Sequence, residues 1–440
     1  MKFFTGKLFW LIVYLALVSA PLVVLLIGEH PGGSGFWLDF SIALGYAGMA
    51  MVGIQFVLTA RFRRATLPFG IDIIYYFHRY LAIVAFVLIV AHVAILMVDN
   101  PVLLANPNPL TAPWYVTIGI VSLFLFGLVI ALSIWRKQLK IHYDQWRLWH
   151  GWLSVAAVIT AVLHIEFIGY YIQTPWKRVL WTVITLSWIL IFLYVRLLKP
   201  WLIKRKPYRI VSVTPERGDS WTLTIEADGH QGINFMPGQF AWINLRSSPF
   251  SEKEHPFSFS SSAEQPQQLG FTIKELGDFS STIKDMKPGE VAYLDGPYGA
   301  FSPDRHSDAP GYIFIAGGIG GAPMMSMLRT LAERGDQRPL TFFYGNNHWD
   351  NVIFREELEE LQTQMPNLKV IFLLSYPPDD WTGEVGYLNM VVLERHLPPR
   401  FQQFHCFICG PTAMIDMAEE ALHMLHVSPH HVHSEIFDMV

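Results

Sequence analysis

The first two hundred residues contain six long apolar runs that are separated by short polar segments. The runs are Leu8–Ile27, Phe36–Ala60, Tyr76–Val98, Trp114–Trp135, Leu148–Ile168 and Val179–Leu198. A helix of about 20 apolar residues crosses the roughly 30 Å hydrocarbon core of a bilayer. The pattern therefore predicts a bundle of six transmembrane helices over residues 1–200, embedded in a lipid bilayer.

The first run has an alternative interpretation as a secretory signal peptide. Lys2 and Lys7 precede it, and Val18-Ser19-Ala20 resembles a cleavage site. Pro21 would follow the cut, which disfavours cleavage, and the run is long enough to span. We expect it to be retained as the first membrane helix.

After Lys206-Pro207 the pattern changes to short alternating runs bounded by Gly, Pro and Asp, which indicate β-strands. The runs are Tyr208–Val213, Trp221–Ala227, Gln239–Leu245, Leu269–Glu275 and Val291–Leu294. They predict a small antiparallel barrel over residues 207–305. From Tyr312 strands, glycine loops and helices alternate, which predicts a parallel, doubly wound α/β sheet over residues 310–440. The whole chain is thus predicted to be a multi-domain membrane protein.

Composition separates the same two halves. Hydrophobic residues make up 52% of the chain and charged residues 15%. Residues 1–199 contain 14 Lys/Arg and 6 Asp/Glu, whereas residues 200–440 contain 18 and 30, so the net charges are +8 and −12. The acidic second half argues against nucleic acid as a partner. With only two cysteines, the chain has no disulfide scaffold, and the second half fits a reducing compartment.

The basic residues predict an orientation because they favour the cytoplasmic side of a membrane. They follow the second, fourth and sixth runs: Arg61, Arg63, Arg64, Arg136, Lys137, Lys140, Arg147, Arg196, Lys199, Lys204, Lys206 and Arg209. The opposite side carries Glu29, Asp39, Asp99 and Glu166, with Lys177 and Arg178 as its basic residues. Both termini and the second half are therefore expected in the cytoplasm.

Four histidines lie in or at the edges of the apolar runs and share one spacing. His78 and His92 are 14 residues apart in the third run, and His150 and His164 are 14 apart in the fifth. Fourteen residues make nearly four helical turns and rise about 21 Å, so each pair lies on one helix face with one member near each leaflet. Because the two helices run parallel, His78 can face His150 and His92 can face His164.

Two facing imidazoles are axial ligands for a haem, so the spacing predicts two b-type haems stacked across the bilayer. A single intramembrane histidine would fit a proton relay or a satisfied hydrogen bond equally well. A proton-coupled transporter is the alternative for the four together, although its polar groups need not repeat a spacing.

The second half contains candidate cofactor motifs. A flat aromatic ligand needs an extended strand with an aromatic platform and hydroxyl donors, which Phe257 and Ser258 supply, although such a strand is often only part of a barrel. The turn Gly317-Gly318-Ile319-Gly320, with Pro323 in the helix that follows, is typical of a pyrophosphate site. Cys409-Gly410-Pro411 follows a predicted strand at Phe404–Ile408. Cys406 and Cys409 should point to opposite faces of that strand, which disfavours a metal or disulfide between them.

Taken together, these motifs resemble the transmembrane ferric reductases and NADPH oxidases, here in a bacterial form, whose C-terminal half is similar to ferredoxin–NADP reductase. The resemblance implies that His255-Pro256-Phe257-Ser258 contacts the flavin, and that Lys274 and Gly277-Asp278-Phe279-Ser280 hold the ribityl and phosphates of FAD. It also implies that Cys409 lies near the nicotinamide and that Phe437, after Glu435, covers the flavin.

Three features depart from the family pattern. Asn346 follows Tyr344-Gly345 where NADPH-selective members often have Arg, so the choice between NADH and NADPH stays open. Leu96 stands one turn beyond His92, where a superoxide-producing oxidase would be expected to have histidine. Three residues follow Phe437, which makes its covering role less direct than that of a terminal aromatic.

The resulting hypothesis is a bacterial inner-membrane enzyme that passes electrons from cytoplasmic NAD(P)H through FAD and two haems to an external acceptor. Hydride transfer is assigned to the surroundings of Cys409, Ser258, Glu435 and Phe437, and ferric chelate is the expected acceptor. Reduction of oxygen to superoxide is the alternative within this class. A haem subunit serving another redox protein and a transporter with a nucleotide-binding domain are the alternatives outside it. The oligomeric state stays open.

Overall fold

The computed structural model describes residues 2–28, 35–63, 71–99, 112–251 and 253–436, without the side chains of residues 2–7, 71 and 72. Its internal contacts divide the chain into two units, Met1–Pro200 and Trp201–Val440. Each unit is described separately.

The first unit contains six helices that are long and apolar enough to cross a membrane. They are α1 (Lys2–Leu26), α2 (Phe36–Thr59), α3 (Ile71–Asp99), α4 (Trp114–Ile134), α5 (Tyr143–Ile168) and α6 (Pro175–Leu193). The six predicted spans are confirmed, and α3, α5 and α6 each begin a few residues before the apolar run. These extra turns contain polar residues such as Asp144, which an apolar pattern cannot assign to a helix.

Single residues explain where α5 ends and where α6 begins. Gly169 adopts a left-handed conformation (φ 63°) and caps α5, which is the usual role of glycine after a helix. Pro175 opens α6, where its missing N–H is not needed. After α6 the chain continues through a π-helical turn, Tyr194–Leu198, into the short helix α7 (Lys199–Lys204).

The membrane helices pack mainly in two neighbouring pairs, α2 with α3 and α4 with α5. Small residues permit close approach: a Cβ atom on Gly53 would lie 2.1 Å from the Trp188 ring of α6. Within the residues that the structure describes, α3 and α5 make almost no direct backbone contact with each other. The backbones of the two histidine-bearing helices are therefore not in close contact, and their side chains meet between them.

The second unit begins with a six-stranded antiparallel sheet in the order β4-β3-β6-β1-β2-β5. Its strands are β1 (Tyr208–Glu216), β2 (Ser220–Ala227), β3 (Phe240–Leu245), β4 (Glu254–Ser258), β5 (Gln268–Lys274) and β6 (Val291–Tyr298). A bridge between Phe259 and Phe271 joins the two ends of the sheet, so that it closes into the predicted barrel. The barrel encloses a core that includes Leu223, Ile243 and Phe271.

A six-stranded parallel sheet follows, in the order β10-β9-β8-β7-β11-β12. Its strands are β7 (Tyr312–Gly317), β8 (Leu340–Asn346), β9 (Leu368–Leu374), β10 (Glu384–Val385), β11 (His405–Cys409) and β12 (Val432–Glu435). Its helices are α8 (Gly321–Glu333), α9 (Arg355–Gln364), α10 (Met390–His396) and α11 (Thr412–Met424).

Each face of the parallel sheet has its own apolar core. Met324 of α8 and Leu358 of α9 pack in one cluster, and Leu393 of α10 and Ile415 of α11 pack in the other. Helices on both faces confirm the predicted doubly wound α/β architecture.

Candidate functional site

His78 and His150 come together between α3 and α5. Their ring centroids are 6.1 Å apart and the rings are inclined by 72°. An imidazole nitrogen binds a metal at about 2 Å and lies about 1 Å from its ring centre, so two rings on one metal would have centroids about 6 Å apart. The observed separation fits a metal held between the two rings.

All four membrane histidines have the Nδ1 atom engaged with an acceptor. The distances are 2.7 Å from His78 to Gln55 Oε1, 2.9 Å from His92 to the Ser41 carbonyl, 3.1 Å from His150 to Ser133 Oγ and 2.8 Å from His164 to the Tyr115 carbonyl. A carbonyl oxygen can only accept, so the Nδ1 atoms of His78, His92 and His164 donate.

The fourth histidine follows the same rule. The Ser133 hydroxyl donates to the Val129 carbonyl at 2.6 Å, which leaves its oxygen to accept from His150. With the proton on Nδ1, each Nε2 keeps its lone pair. Histidines that bind a metal through one ring nitrogen typically have their tautomer fixed in this way, by a hydrogen bond from the other nitrogen.

Glycines on the neighbouring helices make room for His92 and His164. A Cβ atom on Gly119 of α4 would lie 2.6 Å from His164 Nδ1, and one on Gly45 of α2 would lie 3.2 Å from the His92 ring. Each of these two histidines is therefore packed against a glycine.

The flavin signature lies on β4 at the edge of the barrel. Ser258, opposite Phe240 of β3, is buried, and its hydroxyl has no hydrogen-bond partner among the residues that the structure describes. A buried hydroxyl without a partner is costly, so it marks a position where a ligand can complete the bond. Ser258 thus fits the predicted flavin contact.

Aromatic rings cluster at the start of the same strand. The His255 ring stacks on Phe279 at 4.0 Å, and Phe257 lies parallel to Phe279 at 5.9 Å. Pro256 lies between the two stacked residues, opposite Trp242 of β3. The predicted platform residues are thus held together, with Phe279 as their common neighbour.

The predicted phosphate-binding segment follows β5. Lys274 is the last residue of that strand. The Ser280 hydroxyl accepts from the backbone N–H groups of Leu276 and Gly277, each at 2.9 Å. A Cβ atom on Gly277 would meet nothing within 4 Å. The segment is an exposed turn, and its contact with FAD stays a prediction.

The nucleotide motifs meet at the carboxyl ends of β7 and β11. These neighbouring strands form the switch point of the sheet, because the chain proceeds from β7 through β8 and β9 on one side and returns to β11 on the other. A Cβ atom on Gly320 would lie 2.1 Å from the Cys409 carbonyl, and one on Gly410 would lie 3.0 Å from the Gly317 N–H. Ligands bind at such crevices in open α/β sheets.

Two further contacts shape the glycine turn. Gly318 has φ 55° with open space around it, and its carbonyl accepts from the Tyr344 hydroxyl at 2.8 Å. Pro323 lies buried in the first turn of α8. The Nδ2 donor of Asn346, at the end of β8, is buried, and its side chain lies beside Tyr344. These features fit a nucleotide approaching the backbone closely, with Asn346 able to donate to it.

Cys409 and Glu435 are register partners on β11 and β12. Burial raises the pKa of the Cys409 thiol well above its ordinary value, and the Glu435 carboxylate raises it further, so the thiol stays protonated. Gly299 lies beside Phe240 of β3 and beside Glu435 of β12. Because Phe240 pairs with Ser258, the end of β12 lies near the strand that carries the flavin signature. Pro411 packs against Gly317, and Phe437 lies outside the described residues.

Sequence reasoning missed the partners of the histidines. Gln55 is a polar amide inside an apolar run, which is an available signal because such residues are rare in membrane helices. Ser41, Ser133 and the Tyr115 carbonyl carry no comparable signal. A cluster of His306, His405 and His433 was also missed.

Three families match successive parts of the chain. Residues 44–161 match the ferric reductase like transmembrane component, residues 222–302 match an FAD-binding domain, and residues 314–420 match the oxidoreductase NAD-binding domain. The six candidate membrane helices precede the two reductase domains.

Curated relatives resemble the second half. NADH-cytochrome b5 reductase 1 of Rattus norvegicus is 32% identical over 43% of this chain and 71% of its own length. Ferredoxin--NADP reductase B of Sorangium cellulosum is 29% identical over 54% of this chain and 100% of its own length. The reductase component of propane 2-monooxygenase of Rhodococcus jostii is 28% identical over 49% of this chain, and the match spans 58% of that relative.

These matches bear out the resemblance and the predicted FAD and nucleotide domains. The chain is an integral membrane protein and belongs to the oxidoreductases that join a ferric reductase-like transmembrane component to the FAD- and NAD-binding domains of the ferredoxin–NADP reductase and cytochrome b5 reductase family.

Proposed function

We propose that this protein oxidises NAD(P)H on the cytoplasmic side of a membrane and reduces an acceptor on the other side, most simply a ferric chelate. The proposal is supported by one chain that joins FAD- and NAD-binding domains to a ferric reductase-like membrane component. When bound, FAD would accept electrons in pairs and two haems would pass them singly.

The observation that carries the proposal is the arrangement of the four membrane histidines. In each, a hydrogen bond donated by Nδ1 leaves Nε2 with a lone pair, and the separation of the His78 and His150 rings fits one metal between them. We assign His78 and His150 to the inner haem, and His92 and His164 to the outer. Their Nδ1 acceptors would orient the rings and make Nε2 more basic.

At the reductase end, Ser258 would donate to the flavin ring, and the Phe257 face would contact it. Cys409 and Glu435 would border the nicotinamide, with Cys409 supplying a neutral surface because its thiol stays protonated. Phe437 would cover the flavin until nicotinamide displaces it.

The remaining predicted residues would hold the two nucleotides. Gly317, Gly318, Gly320 and Gly410 would let backbone N–H groups approach the nicotinamide nucleotide, while Pro323 and Pro411 shape the turns. Tyr344 fixes the glycine turn, and Asn346 would donate to a ribose. For FAD, Lys274, Gly277 and Ser280 would hold the phosphates.

Two of the acidic residues predicted on the external side, Asp39 and Glu166, do not carry the choice of acceptor. Asp39 accepts from the Tyr170 hydroxyl at 2.6 Å, and Glu166 accepts from Thr182 at 3.0 Å and lies 3.6 Å from Arg178. These carboxylates already have partners within the protein. Ferric chelate is proposed because the membrane component matches the ferric reductase family.

The cytoplasmic location of the reductase half, and a bacterial inner membrane as its site, are proposed from the basic residues after α2, α4 and α6. Arg136, between α4 and α5, lies over the Tyr143 ring at 5.4 Å. Such cations with aromatic partners are favoured at the cytoplasmic interface of a bilayer.

An optical spectrum of the purified protein tests the proposal. We expect b-type bands that amount to two haems per chain and that are reduced on addition of NADH or NADPH. His92→Ala should lose one haem and His142→Ala neither, because His142 is exposed at the start of α5. A spectrum without b-type bands, or one that His92→Ala leaves unchanged, would exclude the haem assignment.

A further inference from the structure

Three imidazoles from separate segments meet on the parallel sheet, away from the sites described above. His306 ends a short 3-10 turn, Pro303–His306, His405 opens β11, and His433 lies in β12. One ring nitrogen from each lies within 4.8 Å of the other two.

The strand register explains why two of the histidines meet. His433 pairs with Phe407, and Phe407 is two residues from His405, so all three side chains lie on one face of the sheet. The Nδ1 atom of His405 lies 2.8 Å from Nε2 of His433. The His306 ring stacks on both, with centroids 4.2 Å from each.

A fourth histidine borders the group. The His431 ring centroid is 4.6 Å from that of His405. Its Nδ1 atom lies 3.0 Å from the Gln402 carbonyl and therefore donates, which leaves Nε2 with a lone pair. The cluster thus gathers three imidazole nitrogens and one more nearby, and the stacked His306 ring would turn about its side-chain bonds to aim its in-plane lone pair at a shared metal.

The cluster is separate from the nucleotide motifs. It lies at the amino end of β11, whereas Cys409 lies at the carboxyl end, four residues along the strand. Four residues of strand span about 13 Å. A ligand held by the histidines would therefore not occupy the nicotinamide position.

Nitrogen donors select the kind of metal. Imidazole suits Zn²⁺, Cu²⁺ and Ni²⁺, whereas Mg²⁺ and Ca²⁺ prefer oxygen ligands. Two neutral imidazoles at 2.8 Å share one proton between the facing nitrogens. A metal that binds both nitrogens requires this proton to move to the other nitrogen of its ring, and the two nitrogens to separate from 2.8 Å to about 3.3 Å, as metal–nitrogen bonds of about 2 Å demand.

We propose that His306, His405 and His433 form a binding site for Zn²⁺ or another divalent metal ion that prefers imidazole ligands. The metal would join the edge strand β12 and the turn Pro303–His306 to β11. Because β12 ends at Glu435, the site would hold in place the strand that brings this carboxylate to Cys409.

Zinc binding to the purified full-length protein tests the site. After chelator treatment and dialysis, ZnCl₂ is titrated by calorimetry, and zinc per chain is counted by elemental analysis. We expect one zinc per chain with a Kd of about 10 µM or tighter. Zinc should also raise the melting temperature of the reductase half by about 2 °C or more.

The variants His306→Gln and His433→Gln should each weaken zinc binding at least about tenfold and abolish the rise in melting temperature. His423→Gln is the matched control, because His423 is exposed near the end of α11 and outside the cluster. His306 lies outside the sheet, so FAD content can verify that its variant folds. Absence of zinc binding at about 100 µM, or equal binding by wild type and His306→Gln, would overturn the proposal.

Discussion

The hydrogen bond at each membrane histidine Nδ1 decides which ring nitrogen keeps the lone pair that a metal would need. Gln55 performs this role for His78, and its own amide is oriented by a bond from Nε2 to the Met51 carbonyl at 3.2 Å. Gln55→Leu would remove the acceptor without changing the ligand. Loss of such a partner typically weakens metal binding about 10–100-fold.

We therefore expect Gln55→Leu to lower the occupancy of the inner haem and to shift its midpoint potential in a redox titration. Thr59→Val is the matched control, because Thr59 lies one turn further along α2 and its hydroxyl bonds only to the Gln55 carbonyl among the described contacts. If both variants keep wild-type haem content and potential, Gln55 does not support the ligand.

The Ser258 hydroxyl predicts a second effect at the residue scale. It is buried without a partner on the flavin strand. Ser258→Ala should slow NAD(P)H-driven flavin reduction about tenfold or more, because one buried hydrogen bond is worth about 1–3 kcal/mol. Stopped-flow absorbance of the flavin measures the rate.

Ser326→Ala is the matched control for Ser258→Ala. Ser326 on α8 also has a buried hydroxyl without a partner in the described part of the chain, but it lies outside the flavin signature. We expect it to keep the wild-type rate. Equal slowing by the two variants would mean that the effect of Ser258→Ala is one of folding rather than flavin contact.

Cys406 predicts a pH dependence of stability. Burial raises the pKa of its thiol to about 12, from an ordinary value of 9.0. The unfolded chain therefore loses this proton at lower pH than the folded chain, so the thiol's contribution is complete below about 9 and is lost as pH rises toward 12. Urea unfolding of Cys406→Ala between pH 8 and 11 should show a shallower decline than wild type, and an equal decline would contradict the assignment.

The 14-residue spacing placed each histidine pair on one helix face, but it did not predict the oxygen atoms that accept from the histidine Nδ1 atoms. A repeat of 14 residues fixes a helix face, whereas the contact between His92 and Ser41 depends on how α2 packs on α3. The opposite orientation of the two cysteines is confirmed, since Cys406 and Cys409 belong to cores on opposite faces of the sheet. Strand alternation alone was sufficient for that prediction.

At the scale of elements, α4 is shaped to accommodate a histidine of α5. Gly119→Ala would place a methyl group 2.6 Å from His164 Nδ1, a distance at which the ring must move. We expect this variant to lose the outer haem or to shift its absorption maximum in the reduced-minus-oxidised spectrum.

Gly127→Ala provides the control on the same helix. Its added Cβ would lie 3.6 Å from Phe86, which is ordinary van der Waals contact. The two substitutions change helix propensity alike. Loss of haem in both would point to a general effect on α4, and loss in neither would contradict the close fit at His164.

Element type was largely predictable, and details of element shape were not. The apolar run Val179–Leu198 predicted one helix, whereas the structure changes to a π-helical turn at Tyr194–Leu198. Hydrophobicity cannot distinguish the two because both keep the chain helical. The sequence did not predict the histidine cluster either, because His306 and His433 are far apart along the chain and meet only in the folded domain.

At the scale of the whole molecule, the division of composition matched the division of the structure. The basic, apolar first half forms one unit and the acidic second half forms the other, with the boundary at Pro200–Trp201. The partition of charge could be read from the sequence because a membrane excludes charged side chains.

Transmembrane electron transfer can be measured directly in sealed vesicles. The protein is inserted with its reductase half facing outward, ferric chelate is trapped inside, and NADH or NADPH, which cannot cross the membrane, is added outside without oxygen. Wild type should reduce the trapped iron, while His92→Ala should still reduce its flavin but leave the trapped iron oxidised. Reduction of the trapped iron by His92→Ala at the wild-type rate would contradict an electron path through the two histidine pairs.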